Sequence, residues 1–217
     1  MYDNQKKAPA RKVDPHAPAL RHLRRADARL GALIKSIGPC ALAPSSRYYF
    51  ALCEAIVSQQ LAVKAAATIF ARFRKLFPRG TPTPPRTLEL SDAQFASAGI
   101  SPQKRGYLRD LARNFVDGEI PVRRLARMSD DEVIAALTRV KGIGEWTAHM
   151  FLIFVLGRPD VWPTGDLGIR RALQINYDLA EKPVDGALTA IAEPWRPYRS
   201  VAAWYLWQSL GNKPLAD

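Results

Sequence analysis

The segment that most constrains this chain is Leu137-Thr138-Arg139-Val140-Lys141-Gly142-Ile143-Gly144-Glu145-Trp146-Thr147-Ala148. Apolar residues at helical spacing run into it, since Val133, Ile134, Leu137 and Val140 share one face, and a second helical pattern leaves it at Glu145. Gly142 and Gly144 free the backbone for a tight turn and remove the Cβ atoms that would crowd a visitor. Ile143 between them is placed to anchor the turn in a core. A helix that starts directly after such a turn points its unpaired N–H groups the same way as the turn amides, an arrangement that suits a phosphate held without reading any base.

The rest of the chain repeats the helical period and shows no strand signal, so the fold class is all-α. One helix is expected from Ala19 to Ile37, with Arg21, Arg25 and Arg29 as a solvated basic row on its outer face. Tyr48 to Val57 and Val63 to Phe77 read as helices interrupted by the polar junction Ser58-Gln59-Gln60. A proline-rich loop follows from Pro78 to Pro85, and then caps announce three helix starts: Ser91 with Gln94, Ser101 before Pro102, and Ser129 with Glu132. Three helical segments close the chain, near Leu167 to Ile175, Val184 to Ile191 and Tyr198 to Leu210.

Composition bounds the function. Lys plus Arg number 32 against 20 Asp plus Glu, a net charge of +12 that makes nucleic acid the first partner to test. The apolar run around Ala148 to Leu156 is too short to span a bilayer, so no membrane partner is expected. Met1 leads into basic residues without an apolar core, and with only Cys40 and Cys53 a reducing, cytoplasmic setting is expected. Two cysteines cannot hold a four-cysteine zinc or iron–sulfur site.

Asp166 lies twenty residues beyond Trp146, in Pro163-Thr164-Gly165-Asp166-Leu167, directly before an apolar helical pattern. By itself it reads as a helix N-cap, which also fixes a carboxylate in place. A glycine hairpin followed by Gly-Asp at this distance resembles the helix-hairpin-helix DNA glycosylase superfamily. Ile56-Val57-Ser58-Gln59-Gln60-Leu61, Gly99-Ile100-Ser101-Pro102-Gln103-Lys104-Arg105-Gly106-Tyr107-Leu108 and Trp195-Arg196-Pro197-Tyr198-Arg199-Ser200 resemble its alkylation-repair branch, DNA-3-methyladenine glycosylase II. The likeness spans residues 48 to 207.

That resemblance implies two helical lobes with the hairpin motif and an active-site cleft between them. Residues 46–158 would form a helical barrel lobe ending in the hairpin, residues 14–45 with 159–217 the second lobe, and residues 1–13 a disordered basic tail. It implies Asp166 as the catalytic residue and a base pocket containing Trp146, Trp207 and Tyr107, with Met150 standing where some relatives have an aromatic. It implies DNA contacts by Lys141, Gly142, Ile143, Gly144 and Thr147, and by Ser58, Gln59 and Gln60, with Gln60 as the inserted residue. Backbone carbonyls of Thr138, Val140 and Ile143 would hold a monovalent cation, and no catalytic metal or other cofactor is implied. His149 and Glu54 are read as structural.

The bifunctional branch has a lysine where this chain has Trp146, so the expected enzyme is monofunctional. It would act as a monomer on double-stranded DNA, excise alkylated purines, 3-methyladenine above all, and leave an abasic site. Two alternatives stand beside it: a non-catalytic helix-hairpin-helix binding module, and a related glycosylase for oxidised or mismatched bases.

Overall fold

The computed structural model describes residues 14–179 and 184–211, and the expected tail, residues 1–13, lies outside the described residues. Every regular element among the described residues is helical. The α-helices are α1 (Ala17–Ala26), α2 (Ala28–Ile37), α3 (Tyr48–Ser58), α4 (Val63–Arg74), α5 (Pro84–Glu89), α6 (Asp92–Ser97), α7 (Pro102–Val116), α8 (Asp130–Thr138), α9 (Glu145–Phe154), α10 (Leu167–Tyr177), α11 (Asp185–Ala192) and α12 (Arg199–Ser209).

The local signals explain most boundaries. Ser91 and Ser129 each accept from the backbone N–H three residues on, and Gln94 and Glu132 return the bond, so both capping boxes are complete. Ser101 accepts from the Lys104 N–H, with Pro102 at the first helical position of α7. Two elements differ from the sequence expectation. The region 19–37 is two helices, because Asp27 takes an extended conformation (φ −151°, ψ 115°) and caps α2 by accepting from Leu30 N–H at 3.0 Å. Arg29 thereby leaves the row of Arg21 and Arg25 and pairs with Asp178 at 2.8 Å. The proline-rich stretch is also only partly loop: Pro84 and Pro85 occupy the first turn of α5, where a missing N–H costs nothing.

The chain divides into two compact units, residues 41–167 and residues 1–40 with 168–217. The sequence places these junctions at 45/46 and 158/159. In the central unit α3 packs on α4, α7 and α9, α5 and α6 lie on α7, and α8 packs on α9. Leu52, Ile56, Phe73, Phe95, Leu108 and Leu111 form its fully buried core. In the terminal unit α2 packs on α1 and α12 around Leu23, Leu30, Ile34, Trp195 and Tyr205, all fully buried. Asp27 is the polar centre of that unit, accepting from Tyr177 Oη at 2.7 Å and Trp195 Nε1 at 3.0 Å.

Candidate active site and nucleic-acid interface

The hairpin is built as its glycines suggest, but the two glycines do different work. Gly142 has φ +84°, a left-handed conformation that favours glycine. A Cβ there would also lie 2.2 Å from Tyr107 Cδ2, because the tyrosine ring of α7 rests against the turn. Gly144 has an ordinary φ of −98°, and a Cβ on it would meet nothing within 4 Å. Nothing among the described residues requires glycine at 144, so its bareness keeps the outer face of the turn open. Ile143 is buried and fastens the turn to the core, a contribution of about 2 kcal/mol for a side chain of this size.

The amides of the turn divide in the same way. Lys141 N–H is spent internally on Asp110 Oδ2 at 2.9 Å, and Ile143 N–H on Val140 O at 3.0 Å. What Lys141 can offer a phosphate is its exposed ammonium. The first intrahelical bond of α9 runs from Ala148 N–H to Gly144 O, so Glu145, Trp146 and Thr147 present the amides that begin every helix without a partner one turn back. Thr147 is itself buried, so its hydroxyl is not offered at the surface. The N-terminal dipole of α9 adds to this surface.

Asp166 is in the same unit as the hairpin, and its side chain is fastened to α9: Trp146 Nε1 donates to Asp166 Oδ2 at 2.7 Å. The carboxylate is buried, 6% exposed, while the Trp146 side chain is half exposed. Trp146 thus offers its N–H to the acid and leaves ring surface accessible. Met150 is half-buried one turn along α9, and His149 beside it approaches Glu145 at 3.8 Å. Trp207 is on α12 of the terminal unit and is buried. Tyr107 was expected in the base pocket; its ring covers Gly142, and its hydroxyl accepts from Gln103 Nε2 at 2.6 Å.

The Ser58–Gln60 junction sorts its side chains. Gln60 is exposed in a left-handed conformation (φ +57°), which costs a non-glycine residue about 1 kcal/mol. Gln59 turns inward and donates from Nε2 to Gly142 O at 2.7 Å. Lys104 of α7 donates to Val57 O at 2.7 Å and Gln59 O at 2.8 Å. Lys104, Asp110 and the inward role of Gln59 were not foreseen, because their partners are backbone groups that leave no mark in a sequence. Glu54 keeps a structural setting in which burial raises its carboxyl pKa against the pull of Arg74 and Arg47. No cluster of His, Cys, Asp or Glu that could hold a metal occurs among the described residues.

Residues 53–197 match the family described as HhH-GPD superfamily base excision DNA repair protein. The chain is 36% identical over 193 residues to DNA-3-methyladenine glycosylase 1 of Schizosaccharomyces pombe, covering 87% of this chain and 85% of that protein. It is 31% identical over 195 residues to the alkylbase DNA glycosidase-like protein mag2 of the same organism, covering 88% and 92%. In structure it is similar to S. pombe 3-methyladenine DNA glycosylase Mag1 in complex with abasic DNA, with a TM-score of 0.81, 34% identity, and 92% of this chain and 100% of that one covered.

Proposed function

The chain belongs to the HhH-GPD superfamily of base excision DNA repair proteins, in its alkylation-repair branch, and from that premise we propose how its residues perform the reaction. It is a DNA-3-methyladenine glycosylase of base excision repair. Asp166 is the catalytic residue, and the observation that carries this reading is its hydrogen bond to Trp146. That bond ties the carboxylate of the Gly-Asp signature to α9, the helix that leaves the phosphate-binding hairpin.

Breaking an N-glycosidic bond develops positive charge on the deoxyribose. A carboxylate held beside the anomeric carbon stabilises that charge and orients or deprotonates the attacking water. Sugar hydrolases add a second carboxylic acid to protonate the leaving group. A purine methylated at a ring nitrogen is already cationic and departs without that proton, so one aspartate suffices. Before this step the nucleotide must leave the duplex. The amides of Gly142, Gly144, Glu145, Trp146 and Thr147 take phosphate, the Lys141 ammonium adds charge, and Gln60 fills the gap in the stack. The accessible ring of Trp146 offers an electron-rich face to the electron-poor base, with Met150 nearby on the same helix.

The enzyme is monofunctional and acts as a monomer on alkylated duplex DNA in the cytoplasm. Schiff-base chemistry needs an amine at the place where Trp146 stands, and Lys141 is across the turn. Thr138, Val140 and Ile143 carbonyls are the groups that would hold a monovalent cation, which would supply charge toward a phosphate. Val140 O already accepts from Ile143 N–H, and a carbonyl so engaged keeps a second lone pair.

The test is single-turnover base release from a methylated duplex. Asp166→Asn is expected to lower the rate about 10²- to 10³-fold. The wild-type product strand stays intact at the abasic site. Undiminished release by the variant would remove Asp166 from the mechanism, and a nicked strand that borohydride traps on the protein would contradict the monofunctional reading.

A further inference from the structure

The probing junction and the phosphate hairpin are physically joined within the central unit. Gln59 Nε2 donates to Gly142 O at 2.7 Å, across 83 residues of sequence. Lys104 binds the carbonyls of Val57 and Gln59, closing the C-terminal end of α3 and the junction itself. Tyr107, one turn further along α7, rests against Gly142. Asp110, the next turn on, accepts from Lys141 N–H at 2.9 Å. One face of α7 therefore grips both loops, and Gln59 links them directly.

This arrangement carries a cost that ordinary packing would not select. Lys104 is the third residue of α7, the helix end where a cation is disfavoured by the dipole. Its surroundings desolvate the ammonium and lower its pKa. In return the ammonium meets the opposite end of another helix, α3, whose last carbonyls need donors. Gln60, next to the braced Gln59, is held in a left-handed conformation.

We propose that Gln59, Lys104 and Tyr107 are positioning residues that clamp the Ser58–Gln60 junction to the hairpin at a fixed separation. The proposal rests on the functional reading above, in which the hairpin pins a phosphate and Gln60 enters the stack. Insertion drives a nucleotide outward only if the pinned phosphate cannot recede with the inserting residue. A rigid link between the two loops converts binding of the backbone into pressure on the stack. Gln59 thereby serves DNA through the protein rather than by touching it.

The experiment uses the full chain and two readouts. The first is single-turnover base release from a methylated duplex. The second is the fluorescence of 2-aminopurine placed beside a tetrahydrofuran abasic analogue, which rises as neighbours unstack and needs no bond cleavage. Gln59→Met and Lys104→Met keep side-chain length and remove the donors. Each is expected to lower the release rate about tenfold and to diminish the fluorescence rise. Lys104→Arg, which retains donors, restores both. The double variant loses no more than the worse single variant, as members of one unit do. Wild-type fluorescence and rate in folded Gln59→Met, additive losses in the double variant, or equal defects in Lys104→Met and Lys104→Arg would each overturn the clamp. A wild-type protein that unstacks the analogue but releases no base would instead count against the catalytic reading, leaving the clamp to be judged on fluorescence.

Discussion

At Trp146 two features of one side chain are separable by mutation. The indole N–H donates to Asp166 at 2.7 Å, and the side chain remains half exposed. Trp146→Phe keeps an aromatic face and deletes the donor. The expected result is a single-turnover rate about tenfold lower, the scale of one hydrogen bond to a charged group, with affinity for an abasic duplex unchanged. A phenylalanine variant at the wild-type rate would show that the bond does not position Asp166. The pairing of these residues was partly legible, since the glycine hairpin and Gly165-Asp166 announce themselves by residue type. The hydrogen bond between them was not, because it joins side chains 20 residues apart through tertiary structure. Gly144 gives the complementary lesson: the sequence suggested a conformational need, and the structure shows an ordinary φ and open space instead.

Among the elements, α8 feeds the hairpin, and its start is held by the Ser129–Glu132 capping box. Ser129→Ala is expected to cost about 1 kcal/mol of unfolding free energy, read from the urea midpoint at constant slope. No shift would show that the box is dispensable. Glu132 adds a pH dependence. The Ser129 N–H that it accepts holds its carboxyl pKa below the ordinary 4.5, so its contribution is complete above that value and is lost as pH falls through the depressed one. Caps of this kind were legible because they are local: a serine, a return partner three residues on, and an apolar pattern behind them. The break at Asp27 was hidden because the apolar period runs across it. What holds it open is remote, the donors Tyr177 and Trp195 that converge on the same carboxylate. The grip of α7 on two loops was hidden for the same reason, since its targets are largely backbone atoms.

Over the whole molecule, the excess of 32 basic over 20 acidic residues is not what performs the reaction. In the proposed function the hairpin offers phosphate mainly backbone amides, which leaves much of the Lys and Arg surface to act as a diffuse, salt-screened attraction for duplex DNA. If charge gathers the duplex while Asp166 and Trp146 act on one nucleotide, as proposed, affinity falls with salt more steeply than the single-turnover rate at saturating protein. In the proposed function this chemistry removes alkylated purines. Mass spectrometry of every base released by the purified protein from methylated genomic DNA tests it most directly. 3-Methyladenine is expected foremost among the methylated purines released, and a profile containing no methylated purine would overturn the alkylation reading.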